Sequence, residues 1–199
     1  MSTSDAQPGP IEFIAIGASA GGVVALGQIL RALPAGFAIP IAIVLHIPPE
    51  RSSLLPTLFA THCAVPVKEV EDKEPVRPGT VYVAAPDYHM LVEPDRSFAL
   101  SQDEAVNYSR PSIDLLFESA ALAYGTRVLG IVLTGGSADG ADGLAAIRSA
   151  GGQGWVQRPD DAEAPAMPLF AIQRAGADRI LDMADLAREV ACLTRPNTI

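Results

Sequence analysis

The sequence predicts an α/β domain with a doubly wound, mostly parallel sheet flanked by helices and an added short antiparallel β-region. Short apolar runs with little alternation recur along the chain, as is typical of strands buried on both faces. Segments with helical periodicity lie between these runs, which indicates repeated β-α-β units. Within 79–102, three short strand-like runs are separated only by turn residues. That pattern favours an antiparallel meander or hairpin added to the sheet.

Length and composition indicate one globular domain. The chain has 199 residues, of which 49% are hydrophobic and 19% are charged. We expect tails at 1–10 and 196–199 around a domain at 11–195. The net charge of -9 disfavours binding to nucleic acid or to anionic membranes. There is no signal peptide pattern and no apolar run long enough to span a bilayer, and two distant cysteines fit a reducing compartment. We therefore expect a cytoplasmic protein.

The first unit is a strand, a glycine-rich turn and a helix. Residues 11–16 form a short apolar run, Ile16–Gly22 reads IGASAGG, and Val23–Leu33 has helical periodicity until Pro34 and Gly36 end it. Such a turn places its tip beside the positive end of a helix. The tip carries Ser19. The turn could therefore bind a phosphate or hold a nucleophilic serine, and a third possibility is that Ser19 only caps the helix.

The second unit ends in a histidine. Residues 39–45 predict a buried strand that stops at His46, because Pro48 and Pro49 force a loop. A helix with a serine start is predicted over 52–63, followed by a short strand within 65–72.

The second half repeats the alternation after the β-region at 79–102. A helix is predicted from its N-cap Ser112 to Gly125, followed by a buried strand over 127–134. That strand runs into GGSADGADG and another helix. A short strand at 154–157, a loop with a helix, and a last strand and helix starting near Asp182 complete the chain.

Three polar residues follow strand ends in this prediction. Ser19 follows the first strand, His46 ends the second, and Asp139 lies a few residues past the strand at 127–134. Because ligands bind outside the carboxyl ends of parallel strands, we expect these side chains at one edge of the sheet. A hydroxyl, an imidazole and a carboxylate are the nucleophile, base and orienting acid of a serine hydrolase. The turns at Gly21–Gly22 and Gly135–Gly136 would supply N–H donors for an oxyanion.

Each residue also has a simpler explanation on its own. Ser19 and Asp139 are candidate helix caps, Asp142 is another candidate for the same cap, and His46 is a candidate buried, hydrogen-bonded side chain. The joint position at strand ends favours the triad. A dinucleotide fold is disfavoured, because Ser19 replaces the second glycine of G-x-G-x-x-G and no acidic residue ends the second strand.

Several spaced motifs resemble one family. IGASAGG, VLHIPP and VLTGGSADGADGL are similar to the catalytic domain of the chemotaxis protein-glutamate methylesterases, the CheB family. VKEVEDKEPVRPGTVYVAAPDYHMLV and YSRPSIDLLFESAA agree as well. The resemblance runs in family order from Ile11 to Leu193, nearly the whole chain.

This resemblance implies a triad of Ser19, His46 and Asp139, the same set that the strand ends indicate. It implies hydrolysis of glutamate methyl esters on the cytoplasmic region of a chemoreceptor, with receptor glutamine deamidation in some members. A serine triad needs no metal and no cofactor. The alternative is a non-catalytic module that keeps the fold and binds a receptor or another partner.

The sequence also departs from the family pattern. Ala20 stands where many members have Thr, and Gly136 stands where many have Met and where the backbone N–H is thought to serve the oxyanion. Arg110, in the matching RPS segment, is a candidate for steering an acidic receptor helix. Well-known members carry a receiver domain ahead of this domain; with roughly ten residues before the first strand, we expect none here.

Overall fold

A computed structural model describes residues 10–46 and 54–193, and a seven-stranded parallel sheet forms its centre. The strand order is β3-β4-β2-β1-β7-β8-β9, and every neighbouring pair is parallel. The sheet strands are β1 Phe13–Ala18, β2 Ile41–Leu45, β3 Val67–Glu69, β4 Val81–Val83, β7 Val128–Val132, β8 Gln153–Gln157 and β9 Arg179–Leu181. A separate antiparallel pair consists of β5 His89–Val92 and β6 Phe98–Ser101. This arrangement confirms the predicted fold class.

Helices cover both faces of the sheet. They are α1 Gly22–Ala32, α2 Leu55–Ala60, α3 Ile113–Tyr124, α4 Ala141–Ser149, α5 Ala166–Ala175 and α6 Met183–Cys192. One hydrophobic core packs α1, α2 and α6 against the sheet, and a second packs α3, α4, α5 and the β5–β6 pair on the opposite face. Alternate residues of β1 serve the two cores: Ile14 and Ile16 face the first, whereas Phe13 and Ala15 face the second.

The centre of the sheet is where the chain changes direction. From β1 it crosses through α1 to β2 on one side, and later returns to β7 on the other side of β1. In register, Ala18 of β1 pairs with Leu45 of β2, and Gly17 pairs with Val132 of β7. The carboxyl ends of three central strands therefore meet at one edge, which is the usual ligand position in a doubly wound sheet.

The predicted antiparallel region is smaller than the sequence indicated. The first of its three runs, β4, joins the parallel sheet between β2 and β3, and only β5 and β6 pair in antiparallel fashion. All three residues of β4 are buried, so this run has the character of an interior strand. Strands β5 and β6 are joined by a tight turn in which Glu93 N donates to Ser97 O at 2.9 Å.

Predicted helix boundaries agree closely with the structure. Ser112 is the N-cap of α3 and Gly125 lies past its end, while the Asp182 side chain caps α6 by accepting from Asp185 N. No helix in the described part of the chain has the length and apolar character to cross a bilayer. The predicted strand stop at Pro48 and Pro49 and the serine start of the second helix lie outside the described residues, as do 1–9 and 196–199.

Candidate functional site

Ser19 lies in the turn between β1 and α1. Its backbone N–H donates to Thr134 O at 2.9 Å, and its own carbonyl accepts from Gly22 N at 2.8 Å, which closes the turn. Gly21, the N-cap of α1, has a φ of 76°, a left-handed conformation that favours glycine. The Ser19 side chain is partly exposed, and its hydroxyl makes no hydrogen bond within 10–46 and 54–193. The turn therefore presents an unengaged hydroxyl at the positive end of a helix.

His46 directly follows the neighbouring strand. Its backbone N–H donates to Ala18 O at 3.0 Å, so the strand pairing of β1 and β2 continues to the point where Ser19 begins. The Nε2 atom lies 2.8 Å from Asp139 Oδ2, and the His46 side chain is 14% exposed. Because an ionised carboxylate only accepts, Nε2 is the donor in this hydrogen bond, and in the neutral imidazole Nδ1 then carries the lone pair. In the familiar serine protease arrangement these two nitrogens have the opposite assignment.

Asp139 is fully buried and accepts four hydrogen bonds. Oδ2 accepts from His46 Nε2 at 2.8 Å and from Ile113 N at 2.7 Å. Oδ1 accepts from Ser112 Oγ at 2.8 Å and from Asp114 N at 3.1 Å. Three of these donors belong to the first turn of α3, so the carboxylate lies at the positive end of that helix. Asp139 is thus no cap of its own helix α4, whose N-cap is Gly140.

A second buried carboxylate completes a reciprocal arrangement. Asp114, in the first turn of α3, is 4% exposed, and its Oδ1 accepts from Gly140 N at 2.9 Å and from Gly143 N at 2.7 Å. Its Oδ2 accepts from Asn107 Nδ2 at 2.7 Å. Asp139 therefore caps α3, the helix that contains Asp114, and Asp114 caps α4, the helix that follows Asp139. The beginnings of α3 and α4 are thereby fixed to each other.

The environment separates the acidities of these two carboxyl groups. Burial opposes ionisation of Asp139, but the hydrogen bonds from His46, Ile113 and Asp114 outweigh it and lower the pKa of Asp139. Burial, together with the nearby charge of Asp139, raises the pKa of Asp114 to about 7. The carboxylate next to His46 is therefore the ionised one, as a group that stabilises an imidazolium must be.

Backbone N–H groups near Ser19 divide into two sets. Those of Gly22 and Gly135 are already engaged, the first by Ser19 O and the second by Ala164 O at 2.9 Å. Those predicted donors are therefore not free for an oxyanion. The N–H groups of Ala20, Gly21 and Gly136 have no acceptor among the described residues. Gly135 still lines the site, because a side-chain carbon there would lie 2.9 Å from Ser19 Cβ.

The guanidinium of Arg110 is hydrogen-bonded to neighbouring loops of the same chain. Its guanidinium donates to Asp87 Oδ1 at 2.9 and 2.7 Å and to the carbonyls of Gln102 and Asp103 at 3.0 and 3.1 Å. These bonds tie the loop before α3 to the β-region. The guanidinium is thus engaged within the chain, and the role of Arg110 in steering an acidic receptor helix stays a prediction.

Sequence reasoning overlooked several residues that support the site. From the sequence, Asp114 is only an acidic residue in the first turn of a helix. Its hydrogen bond from Gly140 N forms because α3 packs on α4, which the sequence does not reveal. Thr134 and Gln157 read as the ends of strands, yet both are 2% exposed and hydrogen-bonded beside the Ser19 turn. No three His, Cys, Asp or Glu side chains in the described ranges are grouped to hold a metal ion.

Chemically, the edge of the sheet holds the His46–Asp139 pair at the end of β2, and the adjacent strand β1 ends at the hydroxyl of Ser19. His46 has a proton held on Nε2 by an anion and a lone pair on Nδ1, and Ser19 begins where the adjacent strand ends. Unbonded N–H groups at the start of α1 lie beside that hydroxyl. Such an arrangement supports proton abstraction from Ser19 and stabilisation of an oxyanion.

Comparison with known proteins gives a consistent result. The family described as CheB methylesterase matches residues 14–190. A Trichodesmium erythraeum protein named protein-glutamate methylesterase/protein-glutamine glutaminase is 38% identical over 183 residues, covering 90% of this chain and 52% of that protein. A Leptospira interrogans protein that carries the same name with a provisional prefix is 44% identical over 176 residues, covering 88% of this chain and 91% of its own length.

The fold agrees with a solved structure as well. The crystal structure of the Thermotoga maritima CheB methylesterase catalytic domain superimposes with a TM-score of 0.88 at 29% identity, covering 94% of this chain and 100% of that one. The family match extends over most of the chain and includes Ser19, His46 and Asp139, which follow β1, β2 and β7. The chain therefore belongs to the CheB methylesterase family.

Proposed function

We propose that this protein is a serine hydrolase that removes methyl groups from glutamate methyl esters of a chemoreceptor. The observation that carries the proposal is the His46–Asp139 pair, joined at 2.8 Å, at the strand end adjacent to Ser19. The names of the relatives, which combine a protein-glutamate methylesterase with a protein-glutamine glutaminase, favour catalysis over a purely binding function. A methyl ester and a primary amide present the same carbonyl to a nucleophile, so glutamine deamidation at the same site is part of the proposal.

In the first half of the proposed reaction, Ser19 Oγ attacks the ester carbonyl carbon. His46 Nδ1 accepts the hydroxyl proton, and ionised Asp139 stabilises the resulting imidazolium through Nε2. The oxyanion forms near the free N–H groups of Ala20, Gly21 and Gly136. When the tetrahedral intermediate collapses, the carbon–oxygen bond to methoxide breaks. Nδ1 returns the proton, and methanol leaves.

The second half hydrolyses the ester between Ser19 and the substrate glutamate. His46 Nδ1 takes a proton from water, whose oxygen attacks the acyl carbon. The bond to Ser19 Oγ breaks, the serine regains the proton, and the glutamic acid side chain is released and loses its own proton to solvent. With a glutamine substrate, the same steps release ammonia in place of methanol.

Partner and location are parts of the same proposal. The substrate is the cytoplasmic region of a methyl-accepting receptor, and the protein works in the cytoplasm without a cofactor. The methyl ester is consumed without a change of oxidation state, and every proton transfer has a donor and acceptor among Ser19, His46, water and the departing methoxide or ammonia nitrogen.

The test is methanol release from receptor fragments whose glutamates carry isotope-labelled methyl esters. Wild type releases labelled methanol. Ser19→Ala loses at least about 10³-fold in rate, because nothing replaces the nucleophile. Ser149→Ala is the matched control, since this exposed serine ends α4 and should leave the rate unchanged. Equal release by wild type and Ser19→Ala would overturn the proposal. Binding of receptor without release by either would favour the non-catalytic module.

A further inference from the structure

Thr134 lies two residues past the end of β7, is 2% exposed, and uses every polar group it has. Its carbonyl accepts from Ser19 N at 2.9 Å, and its N–H donates to Gln157 Oε1 at 2.8 Å. Its hydroxyl Oγ1 donates to Ala20 O at 2.9 Å and accepts from Ala164 N at 2.8 Å. One buried residue therefore joins the Ser19 turn to strand β8 and to the loop before α5.

The contact with Ala20 sets the orientation of a peptide group next to the nucleophile. Ala20 O belongs to the same planar unit as Gly21 N–H. In a trans peptide the carbonyl and the N–H point in opposite directions. Because Thr134 Oγ1 holds Ala20 O towards the interior, Gly21 N–H is directed away from the interior. That N–H has no acceptor within the described residues.

The backbone N–H of Thr134 is held in place through the side chain of Gln157. The Gln157 side chain that accepts from Thr134 N donates in turn to Asp161 Oδ2 at 3.0 Å, and Asp161 Oδ2 also accepts from Met183 N at 2.9 Å. Thr134 thus connects the turn to groups anchored at the start of α6. A threonine held by four hydrogen bonds in a buried site has little freedom to change rotamer.

We propose that Thr134 is a positioning residue for catalysis: its hydroxyl fixes the Ala20–Gly21 peptide so that Gly21 N–H faces the developing oxyanion. This inference rests on the proposed function, because it assumes attack by Ser19 on a carbonyl. The proposed effect is on the transition state, where the oxyanion carries its charge, and not on receptor binding.

Threonine offers a clean pair of substitutions. Thr134→Val keeps the shape and removes the hydroxyl, which leaves Ala20 O and Ala164 N without their partner. Thr134→Ser keeps the hydroxyl and removes a methyl group. Thr126→Val is the control, because Thr126 is exposed near the opposite end of β7.

The readout is the rate at which a fluorophosphonate modifies Ser19, followed by mass spectrometry, together with kcat and KM for labelled receptor fragments. In labelling, Ser19 Oγ forms a bond to phosphorus, fluoride leaves, and His46 takes the hydroxyl proton. We expect Thr134→Val to slow labelling and kcat about 10- to 100-fold with KM within about twofold. Thr134→Ser and Thr126→Val should stay within about threefold of wild type.

The outcomes separate the two proposals. If wild type does not label at Ser19, the proposed function fails and this inference fails with it. If wild type labels and Thr134→Val labels equally fast, only the inference is overturned. Equal losses in Thr134→Ser and Thr134→Val would also overturn it, because the hydroxyl would then not be the cause. Should Thr134→Val fail to fold, Thr134→Cys decides: it replaces the hydroxyl by a thiol, which is a weak hydrogen-bond donor, and a labelling rate equal to that of wild type would contradict the inference.

Discussion

At the scale of single residues, the site depends on how Asp139 is held. Two of its four hydrogen bonds come from backbone N–H groups of α3, and one comes from the N-cap side chain of that helix. Only one of them reaches His46. The same donors that orient this carboxylate also keep it ionised, so geometry and charge at His46 have a common origin.

Asp114 gives a pH dependence whose sign is fixed by its environment. Its pKa is about 7 in the folded protein against an ordinary value of 3.8. Between these values the unfolded chain has released this proton while the folded protein keeps it. Stability from this group is therefore fully present below the lower value and is lost as pH rises towards 7. The lowered pKa of Asp139 acts in the opposite sense, since its contribution is lost on acidification.

Asp114→Asn should remove this loss of stability. The amide of the variant would keep an oxygen that accepts from Gly140 N and Gly143 N, yet it cannot titrate. Between about pH 4 and pH 7, the wild-type free energy of unfolding should fall relative to the variant by up to about 1.4 kcal/mol per pH unit. Urea unfolding at several pH values measures this.

Asp160→Asn serves as the control for that series, because Asp160 is exposed on a surface turn. Its pH profile should parallel that of wild type. Parallel profiles for wild type and Asp114→Asn would contradict the assignment of a raised pKa to Asp114.

At the scale of elements, the crossing of α3 and α4 positions Asp139, the acid of the proposed triad. The two helices are so close at Gly143 that a side-chain carbon there would lie 2.6 Å from Phe117 Cβ and 2.9 Å from the Asp114 carbonyl oxygen. Backbone on the other helix cannot move aside as a side chain would. The absence of a side chain at this position is therefore what lets Asp114 cap α4.

Gly143→Ala should destabilise the protein by about 1–3 kcal/mol even though alanine favours helix. The matched control is Gly27→Ala in α1, where an added carbon meets nothing within 4 Å and should stabilise by about 0.5–1 kcal/mol. Chemical denaturation of both variants measures the contrast, and kcat should fall only for Gly143→Ala, because Asp139 shifts with α4. Equal stabilisation by the two alanines would contradict the close packing of α3 on α4.

The same scale explains what the sequence could and could not predict. Strands β1, β2 and β7 were predictable because they are apolar runs buried on both faces, and Ser112 and Asp182 were predictable as caps. Run β4 was assigned to the antiparallel region, because a short apolar run does not reveal its partners. The contact of Asp139 with α3 rests on residues that are 25 to 27 positions apart, which no local pattern encodes.

At the scale of the whole molecule, the proximity of the three residues of the proposed triad follows from topology. Ser19, His46 and Asp139 come from three separate β-α units, and only the order β2-β1-β7 brings their strand ends together. Predicting this needed no knowledge of side-chain contacts, since parallel strands place their carboxyl ends on one edge. Which backbone N–H groups are available to an oxyanion could not be predicted from the sequence. The structure shows that Gly22 N donates to Ser19 O and that Gly135 N donates to Ala164 O.

We propose that residues 11–195 are sufficient for folding and catalysis. Within residues 10–46 and 54–193, the two hydrophobic cores extend from Ile11 to Leu193 and cover both faces of the sheet. A protein of residues 11–195 should unfold within about 2 °C of the full chain, a shift that corresponds to less than about 1 kcal/mol. It should also keep its methanol release within about twofold. Calorimetry and the esterase assay on both proteins test this, and a large loss of either property would show that the removed ends contribute.

The most direct test of the central claim is the position of a covalent adduct. After treatment with a fluorophosphonate, peptide mapping should find a single modified residue, Ser19, and His46→Ala should slow its formation by at least about 10²-fold. That result would establish a nucleophile at the end of β1 activated by the base at the end of β2. Modification of another serine, such as Ser137 in the neighbouring glycine-rich loop, or an unchanged rate in His46→Ala, would contradict it.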